Sequence, residues 1–119
     1  MADIRAFRAF RYDLGRVGNL SDVVAPPNDV IDPALQDALY QRSPYNVIRL
    51  ILDREQPGDS EQNNRYTRSA GCLRDWQRDN VLAQDSARSL YVYRQDFEVE
   101  GQKHTRRGVL ARVRLEPVA

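Results

Sequence analysis

The sequence predicts an α+β domain with about four strands, two helices and an antiparallel hairpin at the C-terminal end. Two segments repeat apolar residues at helical spacing, and a short β-branched apolar run lies between them. The last third consists of two strand-like runs joined by Glu100-Gly101-Gln102. With 119 residues, 41% of them hydrophobic, residues 1–119 are expected to form a single domain with its own core.

The N-terminal residues 4–12 are rich in aromatic side chains, which favours a strand. Residues 13–24 contain glycine, asparagine and serine and predict a loop. Residues 25–29 are not expected to be helical, because Pro26 and Pro27 fix φ and remove two amide donors.

The first helix is expected to begin at Pro33, with Asp32 as its N-cap, since proline fits the first helical position. Ser43-Pro44 ends it, because the residue before a proline leaves the helical region. Residues 47–52 are apolar and β-branched with Arg49 as the only charge, and they predict a buried strand.

The second helix is predicted to begin near Asp59, with Gln62 completing a capping box, and to end at a left-handed Asn80. Its expected apolar stripe is Tyr66, Ala70, Leu73 and Trp76. We expect Trp76 to be a core anchor and not a platform for stacking a ligand.

The hairpin is predicted to pair residues 90–99 with residues 105–115 around a glycine-containing two-residue turn. Near its open end both faces are apolar, so it is expected to be covered on both sides there. If the chain is a piece of a longer one, this ribbon is expected to self-associate, most simply as a homodimer through the C-terminal sheet.

The charges are nearly balanced, with 18 basic and 17 acidic residues and a net charge of +1. This argues against a nucleic-acid binder that works by bulk electrostatics. No apolar run is long enough for a signal peptide or a membrane span, so no membrane partner is expected and a cytoplasmic location is the default.

Side chains capable of nucleophilic or metal chemistry are few. The chain has one cysteine and one histidine, so neither a structural zinc site nor any other metal site is expected. Cys72 is interpreted as a small buried hydrophobe and His104 as a solvated turn residue. No glycine-rich phosphate loop is present in the sequence, and no catalytic residue can be assigned.

Three polar groups remain as candidate ligand-binding sites: the loop after Pro26-Pro27, the link between the first helix and the middle strand, and an arginine pair on the hairpin. Their members are Asp29, Tyr45, Asn46, Arg49, Arg106 and Arg107. Arginines could hold phosphate oxygens, and a rigid loop would fix a carboxylate in place. The structural alternative is that these residues cap helices, close turns and form pairs within the fold.

The segments 24–31 (VAPPNDVI) and 43–50 (SPYNVIRL) resemble the N-terminal part of domain-of-unknown-function family 1015, a group of bacterial and archaeal proteins. Further similarities are residues 5–12, 63–66, 91–93 and 105–108. Members of this family usually have tyrosine where this chain has Asn28.

This resemblance implies a longer protein, of which these residues are the N-terminal fragment and the rest of the chain a partner. The remainder usually contains a box similar to the phosphate-binding box of ParB-related proteins and allied free-serine kinases. A ligand- or nucleotide-handling, phosphoryl-transfer-like role follows for the full-length protein, with a nucleotide as its cofactor and none bound by this fragment. The alternative is a non-catalytic interaction or regulatory module, associated with nucleic acid in some ParB-like proteins. The residues leave open whether the protein is an enzyme.

Overall fold

The computed structural model describes residues 1–118 and confirms the α+β class, with shorter and more numerous elements than expected. The elements are β1 (Ile4–Arg5), β2 (Phe10–Tyr12), α1 (Leu14–Val17), α2 (Pro33–Arg42), α3 (Ile48–Ile51), α4 (Arg65–Arg78), β3 (Leu82–Gln84), β4 (Tyr91–Val99), β5 (Gln102–Leu110) and β6 (Arg112–Val113). The strands form three two-stranded sheets, in which β1 pairs with β6, β2 with β3 and β4 with β5. Single 3-10 turns lie at Leu20–Asp22 and Asn28–Val30.

The chain divides into two compact units. The helical unit is Arg11–Ala83, and the hairpin unit is Met1–Phe10 together with the chain from Gln84 onward. Every residue that is buried among residues 1–118 belongs to the helical unit. Its buried apolar residues are Val23, Leu39, Ile48, Trp76, Val81 and Leu82.

Helix α2 begins and ends as its sequence predicts. The Asp32 carboxylate accepts a hydrogen bond from the Leu35 amide at 2.8 Å, and Pro33 occupies the first turn. The helix ends at Arg42, and Ser43 is extended. Capping residues and proline are local signals, so this element is specified by its own sequence.

The strand predicted for residues 47–52 is wrong. These residues form the single helical turn α3, in which the Leu50 and Ile51 amides donate to the Val47 carbonyl at 2.8 and 3.1 Å. The turn places Ile48 in the core, where it is 0% exposed. A six-residue apolar run fits either a buried strand or a buried helical turn, and packing decides between them.

Helix α4 begins later than expected, and its cap is formed by other residues. The Asn64 side chain accepts from the Thr67 amide at 3.1 Å, while the Thr67 hydroxyl accepts from the Asn64 amide at 2.9 Å. This reciprocal pair replaces the predicted capping box of Asp59 and Gln62. Asp59 instead accepts from the Arg68 guanidinium at 2.8 Å. At the other end, Asn80 has the predicted left-handed conformation, with φ of 58°.

The apolar stripe predicted for α4 is correct only at Trp76. Trp76 is 7% exposed, whereas Tyr66 is 70% and Leu73 39% exposed, and Ala70 is exposed as well. Trp76 packs in a cluster with Val81 and Leu82, which confirms it as a core anchor. The face of α4 that turns inward is otherwise partly polar, as described below.

The N-terminal third contains more and shorter secondary-structure elements than the sequence predicts. The single strand expected over residues 4–12 is two short strands, β1 and β2. The expected loop 13–24 contains α1, whose first turn is capped by the Asp13 carboxylate through a bond from the Gly15 amide at 2.9 Å. The two prolines of residues 25–29 lie outside any helix as expected, but Asn28 and Asp29 belong to a 3-10 turn.

The hairpin unit contains the predicted antiparallel ribbon. Strands β4 and β5 pair from Tyr91 opposite Leu110 to Val99 opposite Gln102. Glu100 and Gly101 form the turn with φ of 50° and 79°, as a type I′ turn requires. Strand β5 is shorter than expected at its end, because the chain continues into β6, which pairs with β1.

The cover expected on both faces of the ribbon is not provided by residues 1–118. On one face Val92 and Val109, which lie opposite each other, are 72% and 64% exposed. On the other face Leu110 is 52% and Val99 51% exposed. The ribbon therefore presents apolar side chains to solvent on both sides.

Candidate functional site

Asn46 connects the two segments that carry the family resemblance. Its side chain is 0% exposed, and its amide nitrogen donates to the carbonyls of Asp22 and Val24 at 2.9 and 3.0 Å. Its side-chain oxygen accepts from the Ile48 amide at 3.0 Å. A buried amide with three satisfied bonds fixes the backbone on both sides of it. Asn46 is thus a clasp and not an exposed ligand-binding group.

The clasp holds the base of an exposed segment, residues 24–31, called the proline loop here. A further bond from the Val47 amide to the Val23 carbonyl, at 2.8 Å, strengthens the same attachment. Within the loop, the Val30 amide donates to the Pro27 carbonyl at 3.1 Å and closes the 3-10 turn. Two prolines and this turn leave the loop little freedom.

Asp29 is exposed at the centre of that turn, beside the exposed Asn28. The loop is fixed at its base and closed by the turn at its tip, so the backbone of Asp29 is held in place while its side chain is exposed to solvent. A carboxylate in this setting can accept hydrogen bonds from a hydroxyl or an ammonium group of a ligand.

Tyr45 lies beside the clasp and serves the core. Its carbonyl accepts from the Tyr12 hydroxyl at 2.7 Å, and its ring meets the Trp76 ring edge-on, with centroids 6.1 Å apart. Burial raises the pKa of Tyr12 to about 12, so this hydroxyl keeps its proton and its donor role at neutral pH.

Arg49 is engaged within the fold. Its guanidinium donates to the carbonyls of Ser43 and Tyr40 at 2.8 and 3.1 Å, at the C-terminal end of α2. It also lies 4.4 Å from the centre of the Tyr40 ring. Burial lowers the pKa of Arg49 from its ordinary value. Arg49 therefore closes the C-terminal end of α2 through two main-chain carbonyls.

Arg106 and Arg107 belong to the hairpin unit and point to opposite faces of β5, as neighbouring strand residues do. Arg106 lies 5.6 Å from the centre of the Phe97 ring, and Arg107 stands opposite Arg94. Both are exposed. They do not form the shared arginine pair that their adjacency in sequence suggested.

Cys72 is half-buried, where full burial was predicted, and His104 lies within β5 and not in the turn. Burial raises the pKa of the Cys72 thiol to about 11, so it stays protonated at neutral pH. His104 is exposed and stacks on Phe97, with ring centroids 5.4 Å apart. Within residues 1–118, no three His, Cys, Asp or Glu side chains are grouped as metal ligands would be.

Sequence reasoning missed the polar face of α4. The Ser69 hydroxyl donates to the Arg49 carbonyl at 2.8 Å, and the Arg68 guanidinium donates to the Arg54 carbonyl at 2.7 Å. These bonds attach α4 to α3 and to the segment after it. No sequence pattern signals them, because each acceptor is a main-chain carbonyl.

Comparisons with known proteins agree with the resemblance and extend it no further. A family model described as "Protein of unknown function (DUF1015)" matches residues 4–119. Neither the curated proteins nor the solved structures gave a match. None of the helices described for residues 1–118 has the length and apolar character needed to cross a membrane. The match covers nearly the whole chain, including the clasp and the proline loop, and so the chain belongs to the DUF1015 family.

Proposed function

We propose that this chain is a recognition domain of a ligand- or nucleotide-handling protein, and that its proline loop contacts the ligand through Asp29. The observation that carries the proposal is the Asn46 clasp. The fully buried Asn46 side chain fixes the base of a loop whose tip is exposed. Scaffolds commonly present binding residues on loops that are fixed in this way.

The negative charge of Asp29 limits the chemical groups of a ligand that it would contact. A carboxylate repels phosphate oxygens but accepts hydrogen bonds from hydroxyl and ammonium groups. A nucleoside sugar and the amino acid serine both offer such groups. We therefore propose that Asp29 recognises the hydroxyl- or amine-bearing part of the ligand, while any phosphoryl chemistry depends on residues elsewhere in the protein.

The proposal is tested by thermal-shift titration of the full encoded protein with ATP, ADP and serine. A ligand at about 100 times its Kd stabilises a protein by about 2.7 kcal/mol, which raises the melting temperature measurably. We expect Asp29→Asn to lose most of that shift and Glu61→Gln, an exposed acid of the same unit, to keep it. If saturating ligand gave no shift, or if both variants lost it equally, the proposal would be wrong.

Asn28 gives a second arm of this test. It is exposed beside Asp29. If the tyrosine usual in the family packs on the ligand, Asn28→Tyr should tighten binding several-fold. Unchanged affinity would remove Asn28 from the site without touching the role of Asp29.

The exposed ribbon supports a second candidate function, that of an interaction module. Strands β4 and β5 have no further partner strand among residues 1–118, and apolar side chains line both faces. A two-stranded ribbon is marginal alone in water. We propose that it pairs with a second copy of itself, as a homodimer through the C-terminal sheet.

Light scattering across a concentration series tests this second candidate. We expect a dimer that Val92→Lys disrupts, because the substitution puts a charge on the most exposed apolar position of β4. The matched control is Gln95→Lys, on the other face and towards the turn. A monomer at all concentrations that binds no dye for exposed apolar surface would exclude the dimer.

A further inference from the structure

The short sheet of β1 and β6 gathers arginines that are far apart in sequence. Arg5 pairs with Arg112 directly across the two strands, and Ile4 pairs with Val113. One residue beyond, the Arg114 amide donates to the Asp3 carbonyl at 3.0 Å. Because side chains alternate along a strand, Asp3, Arg5, Arg112 and Arg114 share one face.

This face carries an excess of positive charge. Three guanidinium groups share it with one carboxylate, that of Asp3, which lies 3.2 Å from the Arg5 guanidinium. The Arg5–Arg112 pair sets like charges directly opposite each other, which destabilises an antiparallel pair. Arg112 and Arg114 are exposed, and no hydrogen bond or ion pair of either side chain occurs within residues 1–118. An anion bound between the Arg5 and Arg112 guanidinium groups would offset this repulsion.

The surface is also concave. A depression of about 310 Å³ is lined by Asp3, Arg5, Arg112, Val113 and Arg114. That volume is at the lower end of the range for small-molecule sites. Guanidinium groups bind phosphate oxygens through two parallel N–H bonds, and a dianion matches the two surplus charges of this face.

We propose that this face is a binding site for a phosphate group, held between Arg5 and Arg112 with Arg114 beside them. Asp3 orients Arg5 and sets the net charge of the site. The phosphate can belong to inorganic phosphate or to the end of a phosphorylated small molecule. The site lies within the hairpin unit and does not depend on the proposed role of Asp29.

The test is calorimetric titration of the full encoded protein at low salt with inorganic phosphate and, separately, with ATP. We expect Arg112→Gln to weaken binding about tenfold or more, since it removes charge-assisted hydrogen bonds. Arg112→Lys should weaken it less, because it keeps the charge and loses the two-pronged geometry. The matched control is Arg88→Gln, which removes the same charge from another exposed arginine of the hairpin unit and should leave the affinity unchanged.

Binding of ATP but not inorganic phosphate would assign the site to a phosphorylated molecule, and binding of both would assign it to the phosphate group itself. No binding of either, or equal weakening by Arg88→Gln, would overturn the proposal.

A second measurement, of the melting temperature, separates binding from a structural role. Without phosphate, Arg112→Gln should melt at the same or a higher temperature than the wild type, because the repulsion with Arg5 is gone. A lower melting temperature would show that Arg112 stabilises the fold, and would also overturn the proposal.

Discussion

In the helical unit Asn46 and Ile48 are wholly buried, whereas in the hairpin unit Val92 and Val109 keep 72% and 64% of their surface exposed. The helical unit is held by burial and by polar bonds that link distant segments. The hairpin unit is held by main-chain pairing, a type I′ turn and polar bonds that are at most half-buried, such as that from the Ala9 amide to the Tyr91 hydroxyl at 2.9 Å. Burial of apolar area is the dominant favourable contribution to folding. We infer that stability is concentrated in the helical unit, whereas the hairpin unit leaves apolar side chains exposed to solvent.

Removal of Trp76 should have the largest effect on the helical unit. Trp76→Ala is expected to lower the free energy of unfolding by about 3–5 kcal/mol, because it empties a site packed against Val81 and Leu82. Leu73→Ala on the same helix should cost about 1 kcal/mol, since Leu73 is 39% exposed. Urea unfolding followed by circular dichroism measures both. Equal losses would show that α4 is not anchored through Trp76.

Asn46 should be the next most sensitive position. Asn46→Ala leaves the Asp22 and Val24 carbonyls and the Ile48 amide without a partner, which should cost about 2–4 kcal/mol. Asn28→Ala, at an exposed site of the proline loop, should cost less than about 0.5 kcal/mol. If the Asn46 variant were as mild as its control, the clasp would not hold the loop.

In the hairpin unit, a stabilising change should be available at the turn. Glu100 has φ of 50°, a conformation that costs most residues about 1 kcal/mol and suits asparagine. Glu100→Asn should therefore raise the free energy of opening of the β4 and β5 amides by about 0.5–1 kcal/mol, which slows their hydrogen exchange. Glu100→Ala removes the same charge without the conformational gain and should give no increase. The same increase in both variants would trace the effect to charge.

The smallest expected effect is a pH dependence in the helical unit. The Arg68 guanidinium, together with the Gln56 amide, donates to Asp59 and holds the pKa of its carboxyl below the ordinary value of 3.8. A group whose pKa is depressed by folding stabilises above the unfolded value, and this contribution is lost as pH falls through the folded one. The stability difference between the wild type and Asp59→Asn should therefore shrink as pH falls below about 4. A difference that does not change with pH would contradict the pairing, and Glu61→Gln controls for removal of an exposed charge.

The parts of this molecule that follow from sequence are those governed by local signals. Asp32 and Pro33 start α2, and Glu100-Gly101 turns the hairpin, because capping and turn chemistry involve only a few neighbouring residues. The cap of α4 is just as local, but several polar residues compete there. Asn64 forms it while Asp59 binds Arg68.

The missed features depend on contacts between distant residues. Residues 47–52 form a helical turn because Ile48 enters the core beside the buried Asn46, and an apolar run alone does not show this. The inward face of α4 was predicted from hydrophobic spacing, yet Ser69 turns inward to bond a main-chain carbonyl. The same limit applies to the candidate site residues, whose contacts with distant main-chain groups cannot be read from the sequence. Arg49 looked available for phosphate in the sequence because the carbonyls that it binds leave no sequence signal.

The contrast between the two units is tested most directly by native-state hydrogen exchange of the whole chain at low micromolar concentration. We predict that amides around Ile48 and Trp76 exchange only through global unfolding. Amides of β4 and β5 should open at a distinctly lower free energy, since few buried contacts hold them. Equal protection of the two regions in a monomer would contradict the account, because it would show that the hairpin unit shares fully in the stability of the core.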